Sequence, residues 1–281
     1  MADLLLAGPI LRRVTANTVC VWMVTDKKAL LKLTVLQESV EIAGNDCEDI
    51  IQIEQQRCQL GTKLFVYLLQ TKPNKGIQQF PYDQLLSYRI DEFQGKTAKA
   101  IDLKALKLTY CKLPNPTFFI PSQLNRLLHG SRRKPHGHVS LNDVNYDALS
   151  LADKETDLYH KSLVNRPVLL LLTGDQIYAD DIANPIFALN VQKGPELLGF
   201  KEALPRPAEP GGLDPNMAQP DGRTTLAKKN AGFSSDKTAN HLFRFAEYAA
   251  MYVYVFGNAP NWTPGCFQRP GGLLGFPRLG E

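Results

Sequence analysis

Hydrophobic residues in the first part of the chain recur at the spacing of short strands. Segments 18–24, 31–36 and 63–69 have the composition of strands, and clusters of Gly, Asn and Pro separate them. Residues 88–91 alternate apolar and polar positions, as a half-buried strand does. This spacing predicts an all-β N-terminal domain over residues 1–114, a fibronectin-like β-sandwich. No group of His, Asp or Glu converges there, which favours a structural or docking role.

The pattern changes after Pro114. Residues 144–162 carry apolar side chains at a rough helical period, which predicts a helix. Residues 168–172 form an unbroken apolar run typical of a buried strand, and this run ends in the polar sequence Thr-Gly-Asp at 173–175. This order of elements is that of an α/β domain. Ligand sites in such folds commonly lie at the carboxyl ends of strands, so this edge is the first candidate for a site.

The last third of the chain is less regular. Residues 204–229 are rich in Pro, Gly and Asp, which predicts a mobile loop or lid. Residues 239–256 place apolar side chains on one face of a helix. Residues 265–281 show no period and are interpreted as an irregular tail. The second domain is therefore predicted over residues 117–264.

Composition narrows the functional classes. The net charge of +4 comes from scattered positive residues, so a nucleic-acid partner is not indicated. The five cysteines show no Cys-x-x-Cys spacing, and Cys20 and Cys111 are interpreted as buried small hydrophobic residues. The N-terminus lacks the charge pattern of a signal peptide, and the apolar run 167–172 is too short to span a bilayer. We expect a soluble cytoplasmic protein with no membrane partner.

The turn after the apolar strand carries the strongest candidate chemistry. Asp175 follows a strand and a glycine, so its carboxylate is held at a sheet edge where it can bridge metal ions. Tyr178 lies three residues on, and its phenol, with an ordinary pKa of about 10, ionises only beside a strongly polarising ion such as Fe(III). The alternative makes Asp175 a helix N-cap and leaves Tyr178 and Asp180 in solvent.

A basic loop covers residues 132–138. Arg133 and Lys134 are candidates for binding a substrate phosphate, and His136 is a candidate catalytic residue. Two alternatives stay open: a non-specific polyanion contact, and a solvated loop whose histidines bond to backbone. His241, near a predicted helix start, is interpreted as a packing or capping residue.

Residues 7–260 resemble the PhoD-like (alkaline phosphatase D) branch of the calcineurin-like metallophosphoesterases. The motifs that carry the resemblance are residues 8–14 with 21–23, Gly-Ser-Arg-Arg-Lys-Pro-His-Gly at 130–137, Thr-Gly-Asp-Gln-Ile-Tyr-Ala-Asp-Asp at 173–181, and the segment 241–252. The resemblance implies a β-sandwich followed by an αββα metallophosphoesterase domain that hydrolyses a phosphate-ester small molecule or a phosphodiester. It implies a binuclear site of iron plus calcium or another divalent ion, with Asp175 bridging the metals and Tyr178 binding iron.

Two departures from the family pattern leave the activity open. The family has a metal-binding cysteine where Arg132 stands here, and a guanidinium repels a cation. The family's later histidine ligands have no counterpart, because no histidine follows His241. The sequence thus predicts a partial, apparently truncated metallophosphoesterase domain. It is either a phosphoric ester hydrolase with an incomplete metal site or a non-catalytic remnant or interaction module.

Overall fold

A computed structural model describes residues 4–44, 56–111, 113–132, 149–204 and 215–257. Within these ranges the chain is β-rich up to Ser131 and mixed afterwards, an α/β protein with a β-rich N-terminal part. The strands are β1 (Leu5–Thr15), β2 (Thr18–Thr25), β3 (Leu30–Gln37), β4 (Val40–Gly44), β5 (Arg57–Gly61), β6 (Leu64–Thr71), β7 (Leu86–Gln94), β8 (Thr97–Ala100), β9 (Thr117–Phe118), β10 (Leu127–Ser131) and β11 (Leu169–Thr173). The α-helices are α1 (Leu149–Leu158), α2 (Asn184–Leu198) and α3 (Phe245–Phe256).

Two antiparallel sheets form the N-terminal part. One has the strand order β1-β2-β6-β5, and the other has β4-β3-β7-β8 with β9 beside β7. Alternate apolar residues of both sheets meet in one buried cluster that includes Met23, Leu33 and Ile90. Tyr67 connects the sheets, since its buried hydroxyl donates to Ala29 O at 3.0 Å and accepts from Ala29 N at 2.8 Å. The four strands predicted at 18–24, 31–36, 63–69 and 88–91 are confirmed as β2, β3, β6 and β7.

Helices α2 and α3 cover the other face of the first sheet. Val24 and Leu64 of the sheet pack in one cluster with Leu198 of α2 and Val253 of α3. The end of α2 also bonds to the turn after β5, with Thr62 N donating to Leu198 O at 3.0 Å. The two helices therefore cover part of the second face of the first sheet and are held against the N-terminal part.

The two helices approach each other closely. A Cβ on Gly194 of α2 would lie 2.5 Å from Ala246 O of α3, so only glycine allows this approach. The helix predicted over 239–256 begins later, at Phe245, because the residues before it bond elsewhere. The Asn240 side chain donates to Ile182 O at 2.8 Å and accepts from Asp221 N at 2.8 Å.

Three predictions about the second part need correction or fall outside the described residues. The apolar strand, observed as β11, is half exposed, with Leu169 39% and Leu171 42% accessible, because its described sheet has two strands only. The predicted loop 204–229 contains helical turns at Pro215–Ala218 and Leu226–Asn230, and Leu226 is buried. The helix predicted at 144–162 is observed as α1, which ends at Leu158, before the predicted end, and residues 144–148 lie outside the described residues.

The domain limits at 114, 117 and 264 stay predictions, and the tail 265–281 lies outside the described residues. None of the helices in the described part of the chain has the length and apolar composition that a bilayer crossing requires.

Candidate functional site

The segments 130–132 and 173–175 meet at one edge of a pair of parallel strands. β10 and β11 run parallel with Ser131 aligned to Thr173, so both strands end at the same edge. Just beyond, Arg132 N donates to Thr173 O at 3.3 Å. The basic loop starts here, and so does the turn that carries Asp175. The expectation that Asp175 follows a strand at its carboxyl end is confirmed.

Gly174 permits the close packing of this turn. Its φ of +75° lies in the left-handed region that side chains disfavour. A Cβ at this position would lie 2.8 Å from Ser131 Oγ and 3.3 Å from Arg132 Cγ. The glycine thus lets the turn before Asp175 lie directly against the end of β10.

Residues 175–183 form an irregular segment in front of α2. Asp175 is exposed, Tyr178 is partly buried, and Ile177 between them is buried in a cluster with Phe187. The alternative that Asp175 caps a helix is wrong, because the next helix begins at Asn184.

Two hydrogen bonds from residues 235 and 242 hold the irregular segment 175–183 in place. Leu242 N donates to Ala179 O at 2.8 Å, and Ser235 Oγ donates to Asp180 Oδ2 at 2.6 Å. Asp180 is therefore not simply solvated, as the same alternative required. Burial raises the pKa of Tyr248, and the charges of Glu247 and Asp180 raise it further.

The donor set of the turn suits a hard cation in part. Asp175 offers a carboxylate and Tyr178 a phenol, and Gln176 Oε1 is buried without a hydrogen-bond partner in the structure. Oxygen donors of this kind suit hard cations. A binuclear centre needs several more ligands, and among the described residues Asp175 belongs to no group of three or more His, Cys, Asp or Glu close enough to hold an ion. Among the described residues, the turn thus offers oxygen donors but not a complete set of ligands for a metal ion.

The predicted site residues of the basic loop lie outside the described residues. The roles predicted for Arg133, Lys134 and His136 therefore stay predictions. His129 on β10 faces β11, with Nε2 2.8 Å from Thr173 Oγ1. His241 packs against the ring of Phe233 with ring centroids 4.7 Å apart, which agrees with its predicted packing role.

A second group of possible metal ligands was not predicted from the sequence. Cys111, Asp157 and His160 lie together, with Cys111 Sγ 3.8 Å from Asp157 Oδ1 and 3.7 Å from His160 Nδ1. The prediction that Cys111 is buried is wrong, since it lies exposed on a turn, whereas Cys20 is buried as predicted. Burial raises the pKa of the Cys20 thiol.

Comparison of the chain with protein-family models, with curated proteins and with solved structures found no match. Function is therefore inferred from the residues and the geometry of the turn at 173–175 after β11, called the strand-end turn below.

Proposed function

We propose that the chain is a metal-dependent phosphoric ester hydrolase of the PhoD-like type, acting on a phosphate-ester small molecule or a phosphodiester. The observation that carries this proposal is the meeting of segments 130–132 and 173–175 at the ends of parallel strands β10 and β11. These segments belong to two of the four motifs that carry the resemblance, of which 173–181 is the specific one. In this proposal the paired N-terminal sheets are a fibronectin-like β-sandwich, and the α/β part is a partial αββα metallophosphoesterase domain.

Each candidate residue has a role that its chemistry allows. Asp175 and Tyr178 hold an iron ion, and a second ion, calcium or another divalent cation, requires ligands beyond the described residues. A metal ion bound there would neutralise phosphoryl oxygens and activate water. Arg133 and Lys134 bind and orient the phosphate, and His136 exchanges a proton during ester cleavage.

Metal content tests the proposal directly. We expect chelator-washed protein to retain iron near one ion per chain by elemental analysis, and Asp175→Ala to lose it. Asp236→Ala is the matched control, because the Asp236 side chain is fully exposed and lies outside the turn. Equal iron in the Asp175 and Asp236 variants would overturn the assignment of Asp175.

Tyr178→Phe tests whether the Tyr178 phenol binds iron. An Fe(III)–phenolate bond produces a visible charge-transfer band, which the Phe variant should lack while its far-ultraviolet circular dichroism is unchanged. Hydrolysis of an artificial phosphate ester should then depend on added metal and disappear in Asp175→Ala. Metal-independent hydrolysis in both proteins contradicts the proposed mechanism.

A second candidate is a non-catalytic interaction module built on the same fold. Two observations favour it: Arg132 stands at the strand end where the family has a metal ligand, and Asp175 lacks a described group of ligands around it. This candidate predicts neither iron nor turnover in the experiments above. We place the protein in the cytoplasm under either function, because Cys20, Cys58 and Cys111 are free thiols, which suits a reducing compartment.

A further inference from the structure

Cys111, Asp157 and His160 have the mutual distances of ligands around one metal ion. Their ligand atoms all lie within 4.8 Å of one another, with Sγ at 3.8 Å from the Asp157 carboxylate and 3.7 Å from His160 Nδ1. Around a tetrahedral zinc, with bonds of about 2.0–2.3 Å, neighbouring ligand atoms lie about 3.4–3.6 Å apart. A small inward movement of the side chains would therefore bring all three onto one ion.

The cysteine side of this group is held by a buried tyrosine. Tyr110, next to Cys111, is buried, and its hydroxyl donates to Asp153 Oδ1 at 2.9 Å. Asp153 and Asp157 are one turn apart on α1, so they lie on the same face of the helix. The contact of Tyr110 with Asp153 therefore places Cys111 beside Asp157. Cys111 itself has a φ of +49°, an uncommon conformation that its surroundings maintain.

The histidine side is held by a buried arginine. His160 follows the end of α1, and its carbonyl oxygen accepts from Arg166 Nη1 at 2.9 Å. Arg166 also lies over the ring of Tyr110, 5.9 Å from its centroid. Burial lowers the pKa of Arg166. One buried pair thus fixes the backbone on both sides of the group.

We propose that Cys111, Asp157 and His160 bind one zinc ion. A thiolate and an imidazole select zinc-type cations over magnesium or calcium, and the thiolate and carboxylate together balance a charge of +2. Binding releases the thiol proton of Cys111 to solvent. His160 Nδ1 lies 2.7 Å from Asp157 O, so the ring gives up this contact when it turns to the ion.

The proposed site keeps one coordination position free for water or a small ligand. Three protein ligands with an open fourth position are the pattern of reactive zinc sites, whereas structural sites use four. The exposure of Cys111 leaves that position accessible to solvent. None of the residues belongs to the Asp175 turn, so the zinc site is independent of the proposed hydrolase.

Cobalt(II) is the probe, because a cobalt–thiolate bond gives a charge-transfer band that aqueous cobalt lacks. We expect the full chain to show this band with about one cobalt per chain, and Cys111→Ser to lose it. Cys58→Ser is the matched control, since Cys58 is also free and exposed but lies on β5. Asp175→Ala should also keep the band, which separates this site from the strand-end turn.

Zinc affinity, measured in competition with a chromophoric chelator, supplies the second readout. Loss of a direct ligand should weaken binding by more than the roughly 10–100-fold that loss of an outer partner causes, so Asp157→Asn and His160→Ala should each exceed that range. Circular dichroism checks that the variants are folded. An unchanged cobalt band in Cys111→Ser, or unchanged zinc affinity in folded Asp157→Asn and His160→Ala, overturns the proposal.

Discussion

Replacing Glu247 with Gln tests whether one buried ion pair holds the second part of the fold together. Arg223 and Glu247 are 0% and 1% exposed, and two bonds of 2.7 Å join the guanidinium to both carboxylate oxygens. Glu247 also accepts from Phe243 N at 3.0 Å and Arg244 N at 3.2 Å in front of α3. The ion pair thus joins Arg223, which precedes α3 in the chain, to Glu247 in the first turn of that helix.

The expected loss follows from the burial of the pair. Removing one partner of a buried ion pair costs about 3–5 kcal/mol, because the other charge stays buried without compensation. Arg223 keeps its bonds to Met217 O and His241 O, both 2.7 Å, and lies 4.4 Å from the centroid of the Phe187 ring. We therefore expect the lower end, about 3 kcal/mol, which corresponds to a fall in Tm of about 6–12 °C.

Thermal unfolding followed by circular dichroism measures this loss. The matched control is Glu196→Gln, which removes the exposed partner of Lys193 at 2.8 Å and should cost less than about 1 kcal/mol. The double variant Arg223→Met with Glu247→Leu should recover part of the lost stability, because the buried guanidinium is removed together with its partner, while Arg244, 3.1 Å from Glu247, still loses its own contact. If Glu247→Gln melts with the Glu196 control, the pair does not carry the stability assigned to it.

Three further changes have outcomes that the structure fixes. Burial alone raises the pKa of Glu247, but its bonds to Arg223, Phe243 N and Arg244 N lower it more, so the net pKa is below the ordinary 4.5. Stability should therefore fall with pH below that value, and more steeply in the native chain than in Glu247→Gln. Gly194→Ala forces a methyl group into the backbone of α3 and should cost about 1–3 kcal/mol in urea unfolding, whereas Gly130→Ala meets only a side chain at 3.4 Å and should cost less. Gly174→Ala should cost about 1–3 kcal/mol and reduce retained iron, because its φ is positive.

Local sequence patterns predicted four strands of the N-terminal sheets but missed β1, β4, β5 and β8, and they missed helix α2. β2, β3 and β6 have the composition of strands, β7 alternates apolar and polar residues, and turn-forming residues separate these segments, so each carries its own signal. α2 was not predicted, because Gly194 and Pro195 within it weaken its local helical signal. This helix is stable because Leu197 and Leu198 pack on the first sheet, and a contact of that range is absent from a local pattern.

The two candidate sites differ in the same way. Asp175 was predictable because strand, glycine and aspartate are consecutive, so the chemistry and its position are encoded together. The Cys111 group was not predictable, because Asp157 and His160 lie 46 and 49 residues after Cys111 in the sequence. The three residues meet only through the packing of Tyr110 on α1. The apolar run 168–172 was misjudged because its composition gives no information on how many strands neighbour it.

The ion pair and the strand-end turn are mechanically connected, which gives Glu247→Gln a second use. The segment before α3, which Arg223 holds through its bond to His241 O, also contacts the turn through Leu242 N and Ala179 O. Loosening this segment should release the turn behind Asp175 before the N-terminal sheets unfold, because those sheets have their own core. Hydrogen exchange should therefore rise at residues 177–182 but not in β2 or β6 of folded Glu247→Gln. Faster exchange in β2 and β6 as well would mean that the two parts unfold as one unit.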